Sequence, residues 1–88
     1  MTTIQIAQHV VGNGCVLMRP RKNSPHEWDM KPVSHSGNKR GWFYMDTQTA
    51  NMLITVYNAL GEANQAKFNR IPLMRLVAFG WKQIKVTA

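Results

Sequence analysis

The spacing of hydrophobic residues changes near the middle of the chain. Before about residue 45 apolar and polar residues tend to alternate, whereas beyond it apolar residues recur every three or four positions. Alternation places side chains on opposite faces of a strand, and the longer period places them on one face of a helix. The pattern therefore predicts an α+β fold, with an antiparallel meander of three or four strands packed on two or three C-terminal helices.

The first segment of this meander is predicted from a short alternation. Ile4 and Ile6 alternate with the polar Gln5. The following Gly12-Asn13-Gly14 suits a hairpin turn, because glycine adopts positive φ at low cost. A helix over residues 4–11 is the alternative for this segment. Strands are predicted at roughly residues 3–11, 15–19, 27–31 and 41–45.

The C-terminal half is predicted to form helices because it combines a helical period with end signals. Asp46 or Thr47 can cap the first helix, and Gly61 suits its C-terminal end. Pro72 suits the first position of the third helix, where its missing N–H has no partner to lose. Gly80 lowers helix propensity, so an end of the third helix near this residue is the alternative. Helices are predicted at roughly residues 47–60, 63–69 and 72–82.

The whole chain is short and strongly basic. Its 88 residues suffice for a single domain with a small core, and its 44% hydrophobic content is typical of a folded chain. The formal charge of +7 attracts anionic partners, either nucleic acid or an acidic protein surface. Cys15 is the only cysteine, so no intrachain disulfide can form and a reducing compartment is expected. The sequence shows no signal-peptide pattern and no long apolar run, so a cytoplasmic protein without a membrane span is expected.

Much of the positive charge lies in one segment, residues 19–42. This segment contains six of the eleven Lys and Arg residues and two of the three Trp residues. Such cations can contact phosphate oxygens, and Trp can stack on unpaired bases. The sequence therefore predicts a nonenzymatic DNA- or RNA-binding protein whose affinity falls with salt, since binding releases counterions. The predicted phosphate-contacting residues are Arg19, Arg21, Lys22, Lys39 and Arg40, with Arg75 and Lys82 as helpers, and the predicted stacking residues are Trp28 and Trp42.

The predicted third helix indicates an alternative function. Met74 and Trp81 share one face of this helix, whereas Leu76 and Phe79 lie nearly opposite. Apolar residues beyond those needed for the core mark association surfaces, so Leu76 and Phe79 are candidates for a partner or homodimer surface. The alternative is a protein-binding accessory module or inhibitor that docks on an acidic protein surface. In size and basic balance the chain is similar to small accessory proteins of phages and plasmids.

The sequence lacks the motifs of most enzymes and metal proteins. Its three histidines and Cys15 do not have the spacing of zinc ligands. Gly12-Asn13-Gly14 is not followed by the lysine and helix of a phosphate-binding loop. Neither a catalytic activity nor a metal or cofactor is therefore expected.

Overall fold

Three strands and a set of helices that lie mostly in the C-terminal half give the protein an α+β fold, as predicted. The computed structural model describes residues 1–33 and 40–87, with the side chains of these residues up to position 82 except that of Pro25. Along this part of the chain the elements are α1 (Thr3–Asn13), β1 (Val16–Arg21), β2 (Ser24–Pro32), β3 (Phe43–Met45), α2 (Thr47–Ala59), α3 (Glu62–Phe68) and α4 (Leu73–Thr87).

The strand predicted over residues 3–11 is wrong, because this segment forms helix α1. The helix begins with a capping box. The Thr2 hydroxyl accepts a hydrogen bond from the Gln5 amide at 3.4 Å, and the Gln5 side chain accepts one from the Thr2 amide at 2.9 Å. Ile6 and Val10, four residues apart, are both completely buried. The capping residues and this helical spacing outweigh the short alternation that predicted a strand.

The sheet has the order β2-β1-β3, with β1 in the centre. Strands β1 and β2 form a hairpin whose turn is Lys22-Asn23, and β3 pairs with the other edge of β1. Both pairings are antiparallel, as predicted. The order differs from that of a meander, in which β2 would pair with β3. Since the segment before β1 is a helix, that edge of β1 is available to β3.

The core lies between one face of the sheet and the helices. Val16 and Met18 of β1 and Met45 of β3 belong to it, together with residues of α1, α2 and α4. Helix α1 packs mainly against α2, and α4 also packs against α2. Because successive side chains of a strand point to opposite sides, the alternate residues of the three strands face away from these helices.

A glycine allows α4 to approach α2 closely. A Cβ atom at Gly80 would overlap the side chain of Met52, a buried residue of α2. Glycine at this position is thus favoured by the packing of α4 on α2. The helix continues through Gly80 to Thr87, although the sequence also suggested an end near this glycine. The three predicted C-terminal helices are present, although α4 extends beyond its predicted end.

Candidate functional site

The face of the sheet that points away from the helices carries part of the predicted basic segment. Arg19 lies opposite Asp29 in the β1–β2 pair, and Leu17 lies opposite both Lys31 and Tyr44. Opposed residues of an antiparallel pair project to the same side of the sheet. Trp42, next to β3, joins them because cations of this face lie over its ring. We call this surface the outer sheet face; it consists of Arg19, Asp29, Lys31, Trp42 and Tyr44, and beneath them lies Leu17, which is only 3% exposed.

Two cations of the outer sheet face pack on the ring of Trp42. The Arg19 Cζ atom lies 4.5 Å from the ring centroid, and the Lys31 Nζ atom lies 4.2 Å from it. A cation this close to an aromatic ring is stabilised by about 0.5–1 kcal/mol at an exposed site. Trp42 thus lies on the outer sheet face together with the predicted cation Arg19. Arg19 and Lys31 already pack on its ring, so a base could stack only on the part of the ring that they leave uncovered. Lys31 is a member of the site that the sequence-based prediction missed.

Asp29 is the carboxylate within the outer sheet face. Its Oδ1 atom accepts a hydrogen bond from Arg21 Nε at 3.1 Å, and its Oδ2 atom lies 3.8 Å from Arg19 Nε. The side chains of all three residues are 41–56% exposed. Exposed ion pairs of this kind contribute at most about 1 kcal/mol each. One carboxylate thus offsets part of the charge of two arginines and leaves both accessible to solvent.

The other acidic residue of β2 is paired elsewhere. The Glu27 carboxylate lies 2.9 Å from the Met1 amino group. This hydrogen bond, together with the positive charge of the amino group, lowers the pKa of Glu27. Glu27 therefore interacts mainly with Met1, and the positive charge of Arg21 acts on it more weakly in the same direction.

The tip of the β1–β2 hairpin extends the basic surface. Lys22 is exposed in the turn, and no carboxylate of the described residues forms a salt bridge with it. Two shallow depressions of about 390 and 290 Å³ adjoin here, and both have Lys22 and Asp29 in their walls. Arg19 lines the larger depression, and Arg21 lines the smaller one. With Lys31, the hairpin and outer sheet face carry four cations, Arg19, Arg21, Lys22 and Lys31, around Asp29, which gives a local net charge of +3.

Tyr44 is a second residue that the sequence-based prediction missed. It is 50% exposed on the outer sheet face, directly opposite Leu17. A hydrogen bond between its side chain and Cys15 raises the pKa of Tyr44, and repulsion by Cys15 and Asp46 and partial desolvation act in the same direction. Its hydroxyl is therefore neutral at physiological pH. The signal was present in the aromatic run of β3, because residues 42 and 44 must share a face when a strand alternates.

Trp28, the other predicted stacking residue, does not lie on the outer sheet face. It pairs with Pro20 on the side of the sheet that faces the helices, and it packs against the core. Its indole Nε1–H donates a hydrogen bond to Thr3 Oγ1 at 3.0 Å. The two Trp residues differ because position 28 falls on the core side of β2, whereas position 42 falls on the opposite side of β3.

The other residues predicted to contact phosphate lie in different parts of the molecule. Arg40 is exposed and lies close to Trp42 in the chain. Lys39 lies outside the described residues. Arg75 and Lys82 are exposed on α4, and among the described residues the depression beside Arg75 is otherwise lined by Ile71, Leu76 and Phe79. The predicted cations thus form more than one surface.

Of the two residues predicted as a partner surface, only Phe79 is on the surface. Leu76 is 4% exposed and belongs to the core, so its prediction as a surface residue is wrong. Phe79 is 51% exposed. Leu73, Leu76 and Gly80 form the buried side of α4, because Gly80 faces Met52 of α2. Met74 and Trp81 are consequently exposed.

Neither a metal cluster nor a membrane span is found in the residues that the structure describes. Within this part of the chain, no three side chains of His, Cys, Asp or Glu come together as metal ligands would. No helix there combines the length and the apolar character that crossing a bilayer requires.

Comparison with known proteins identifies no relative of this chain. No protein-family model matches the sequence, and no curated protein or solved structure is significantly similar to it.

Proposed function

We propose that the protein is a nonenzymatic nucleic-acid-binding protein whose binding surface is the outer sheet face together with the tip of the β1–β2 hairpin. The observation that supports this proposal most strongly is the grouping of four cations and two aromatic residues around one carboxylate. Cations supply phosphate contacts, and aromatic rings supply stacking surfaces for unpaired bases.

Phosphate contact would use the arginines that now pair with Asp29. Arg21 and Arg19 are both more than half exposed, so phosphate oxygens can reach their guanidinium groups. A guanidinium can bind a phosphate through two parallel hydrogen bonds, whereas each exposed pair with Asp29 is weak. A phosphate can therefore replace the carboxylate at small cost. Lys22 at the hairpin tip adds a further charge without losing a salt bridge.

Base contact would use Tyr44. Its ring is half exposed on the side of the sheet that faces away from the helices, and its neutral hydroxyl does not repel a polyanion. Stacking of a base on an aromatic side chain contributes about 1–3 kcal/mol and requires that the base be unpaired. The surface therefore suits single-stranded nucleic acid better than a duplex. Trp42 contributes by holding Arg19 and Lys31 beside this ring.

The proposal is tested by the salt dependence of binding to labelled single-stranded DNA and RNA, measured by fluorescence anisotropy. Lys22→Ala should reduce the slope of log K against log salt by about 0.7 if Lys22 contacts one phosphate of a single strand. Lys67→Ala is the matched control, because it removes the same charge from an exposed position on α3. An unchanged slope for Lys22→Ala would remove this residue from the site.

A complete absence of binding would contradict the proposal itself. Nonspecific nucleic-acid complexes have dissociation constants of roughly 10⁻⁴ to 10⁻⁶ M at physiological salt. No change in anisotropy at about 100 µM protein in low salt would therefore rule out this function. Equal weakening by Lys22→Ala and Lys67→Ala would indicate attraction by net charge rather than by this surface.

A further inference from the structure

Exposed apolar side chains are concentrated around helix α4. Among the described residues, seven large hydrophobic side chains are exposed, and four of them lie between positions 71 and 81. The four are Ile71 at 40%, Met74 at 67%, Phe79 at 51% and Trp81 at 39% exposure. Met74 and Trp81 lie on one flank of the buried side of α4, whereas Ile71 and Phe79 line one depression on the other flank. Exposed apolar surface beyond what the core needs marks interaction sites on small proteins.

Part of this surface is concave. Ile71, Leu76 and Phe79 line an almost wholly apolar depression of about 270 Å³, with Arg75 at its side. Ile71 also lines a second depression of about 320 Å³, where Pro20 and Trp28 meet the segment that leads into α4. The two depressions adjoin at Ile71. We call them together the α4 groove.

On the α4 side of the groove the charges all have the same sign. Arg70, Arg75 and Lys82 are exposed, and residues 69–82 contain no Asp or Glu. A second copy of this chain would bring like charges together on the groove, which costs free energy. A partner whose carboxylates flank its apolar side chains would instead be attracted. Charge complementarity therefore favours an acidic partner over self-association.

The position of the α4 groove indicates the form of that partner. Ile71 lies two residues before α4 and Phe79 lies in its second turn, so the first depression follows the start of this helix. An amphipathic helix, with apolar anchors at i, i+4 and i+7, is a segment that docks in an apolar groove of this kind. We propose that the α4 groove binds an acidic amphipathic helix of a partner protein, with apolar anchors on Ile71 and Phe79 and carboxylates near Arg70, Arg75 and Lys82. This proposal does not depend on the nucleic-acid-binding function.

The test uses a displayed library of helical peptides selected on the immobilised full-length protein. The peptides have fixed Leu anchors at i, i+4 and i+7 and random residues elsewhere. We expect enrichment of peptides with net negative charge. The dissociation constants of the enriched peptides are then measured by anisotropy with the wild-type protein and with Phe79→Asp and Arg75→Glu variants. Phe79→Asp should weaken binding at least about tenfold, as loss of a central anchor does.

Arg75→Glu should weaken binding several-fold, and a peptide with one Glu changed to Arg should recover part of the loss. Lys67→Glu, which reverses an exposed charge on α3, should have a smaller effect than Arg75→Glu. Circular dichroism and thermal melts establish that each variant is folded. The proposal is overturned if no peptide is enriched, if the enriched peptides are neutral or basic, or if Phe79→Asp leaves their affinity unchanged. It is also overturned if sedimentation shows a dimer that Phe79→Asp dissociates.

Discussion

The outer sheet face and the α4 groove both present Arg and Lys side chains, but the residues around these cations differ. On the outer sheet face, Arg19 contacts the Trp42 ring and lies near Asp29. Beside the α4 groove, Arg75 borders the apolar side chains of Ile71 and Phe79. The first environment suits hydrated phosphates and bases, and the second suits apolar anchors of a protein. Positive charge thus indicates only that a partner is anionic, whereas the residues around the cations indicate whether that partner is nucleic acid or protein.

The two surfaces also arise differently. On the sheet, successive side chains point to opposite faces, and Leu17 beneath the outer sheet face is only 3% exposed, so Tyr44 is the one large hydrophobic side chain of the described strands that is strongly exposed. Helix α4 carries apolar residues around most of its circumference, and contact with α2 buries only the side with Leu73, Leu76 and Gly80. Exposed apolar residues therefore remain on both flanks of the buried side, with Phe79 on one flank and Met74 and Trp81 on the other.

The largest expected effect is a reciprocal loss of binding at the two surfaces. Tyr44→Leu should weaken single-stranded oligonucleotide binding about five- to hundredfold, since it removes a stacking ring but keeps an apolar side chain. The same variant should leave binding of the acidic peptides unchanged, and Phe79→Asp should show the opposite pattern. Both ligands are measured by anisotropy with both variants. A variant that weakens both ligands equally would show that the two surfaces are not independent.

The stability of the α4 arrangement is expected to depend on the absence of a side chain at residue 80. Gly80→Ala should be less favourable for stability than Gly12→Ala, because the buried Met52 side chain must shift to admit the new Cβ atom, and an overpacking cost of about 1–3 kcal/mol opposes the gain in helix propensity of about 1 kcal/mol. Gly12→Ala is the matched control. No atom lies within 4 Å of a Cβ built at Gly12 in α1, so this change should stabilise the fold slightly. Urea unfolding measures both, and equal shifts for the two variants would contradict the close contact of α4 with α2.

A smaller effect is expected from the carboxylate on the outer sheet face. Asp29→Asn should strengthen oligonucleotide binding roughly two- to tenfold, because it releases two arginines from weak exposed ion pairs. It should not change the affinity of the acidic peptides for the α4 groove. Glu62→Gln, at the start of α3, removes the same charge away from the sheet and serves as the control. If the two variants strengthen binding equally, Asp29 has no specific role.

The smallest expected effect concerns the ionisation of Tyr44. Hydrogen bonding to Cys15 raises the pKa of Tyr44, so this contact stabilises the fold below the ordinary tyrosine pKa. The contribution is lost as the pH rises through the raised value. Cys15→Ala should therefore lower the pH at which tyrosinate absorbance appears. The titration uses a Tyr57→Phe background so that only Tyr44 contributes, and identical midpoints with and without Cys15 would contradict the contact.

The helices of the C-terminal half were predictable because their signals are local. Asp46 was a predicted cap, and its Oδ1 atom accepts a hydrogen bond from the Thr49 amide at 2.7 Å. The first helix was not predicted, because the alternation of Ile4 and Ile6 indicates a strand, whereas the capping pair Thr2 and Gln5 starts a helix. In the candidate site, the predicted Arg19, Arg21, Lys22 and Trp42 lie on or beside one surface. Lys31 and Tyr44 were missed because isolated side chains on separate strands carry no local motif.

From the order of residues alone follow the α+β class, the positions of the C-terminal helices and the positive charge that attracts an anionic partner. These properties depend on neighbouring residues or on composition, so a single chain displays them directly. Which cations share a surface depends instead on strand order. Arg19 and Lys31 meet over Trp42 because β2 and β3 pair with opposite edges of β1. Likewise, Phe79 is exposed and Leu76 is buried because α2 contacts the Gly80 side of α4. Such contacts join residues far apart in the chain, and no local pattern specifies them.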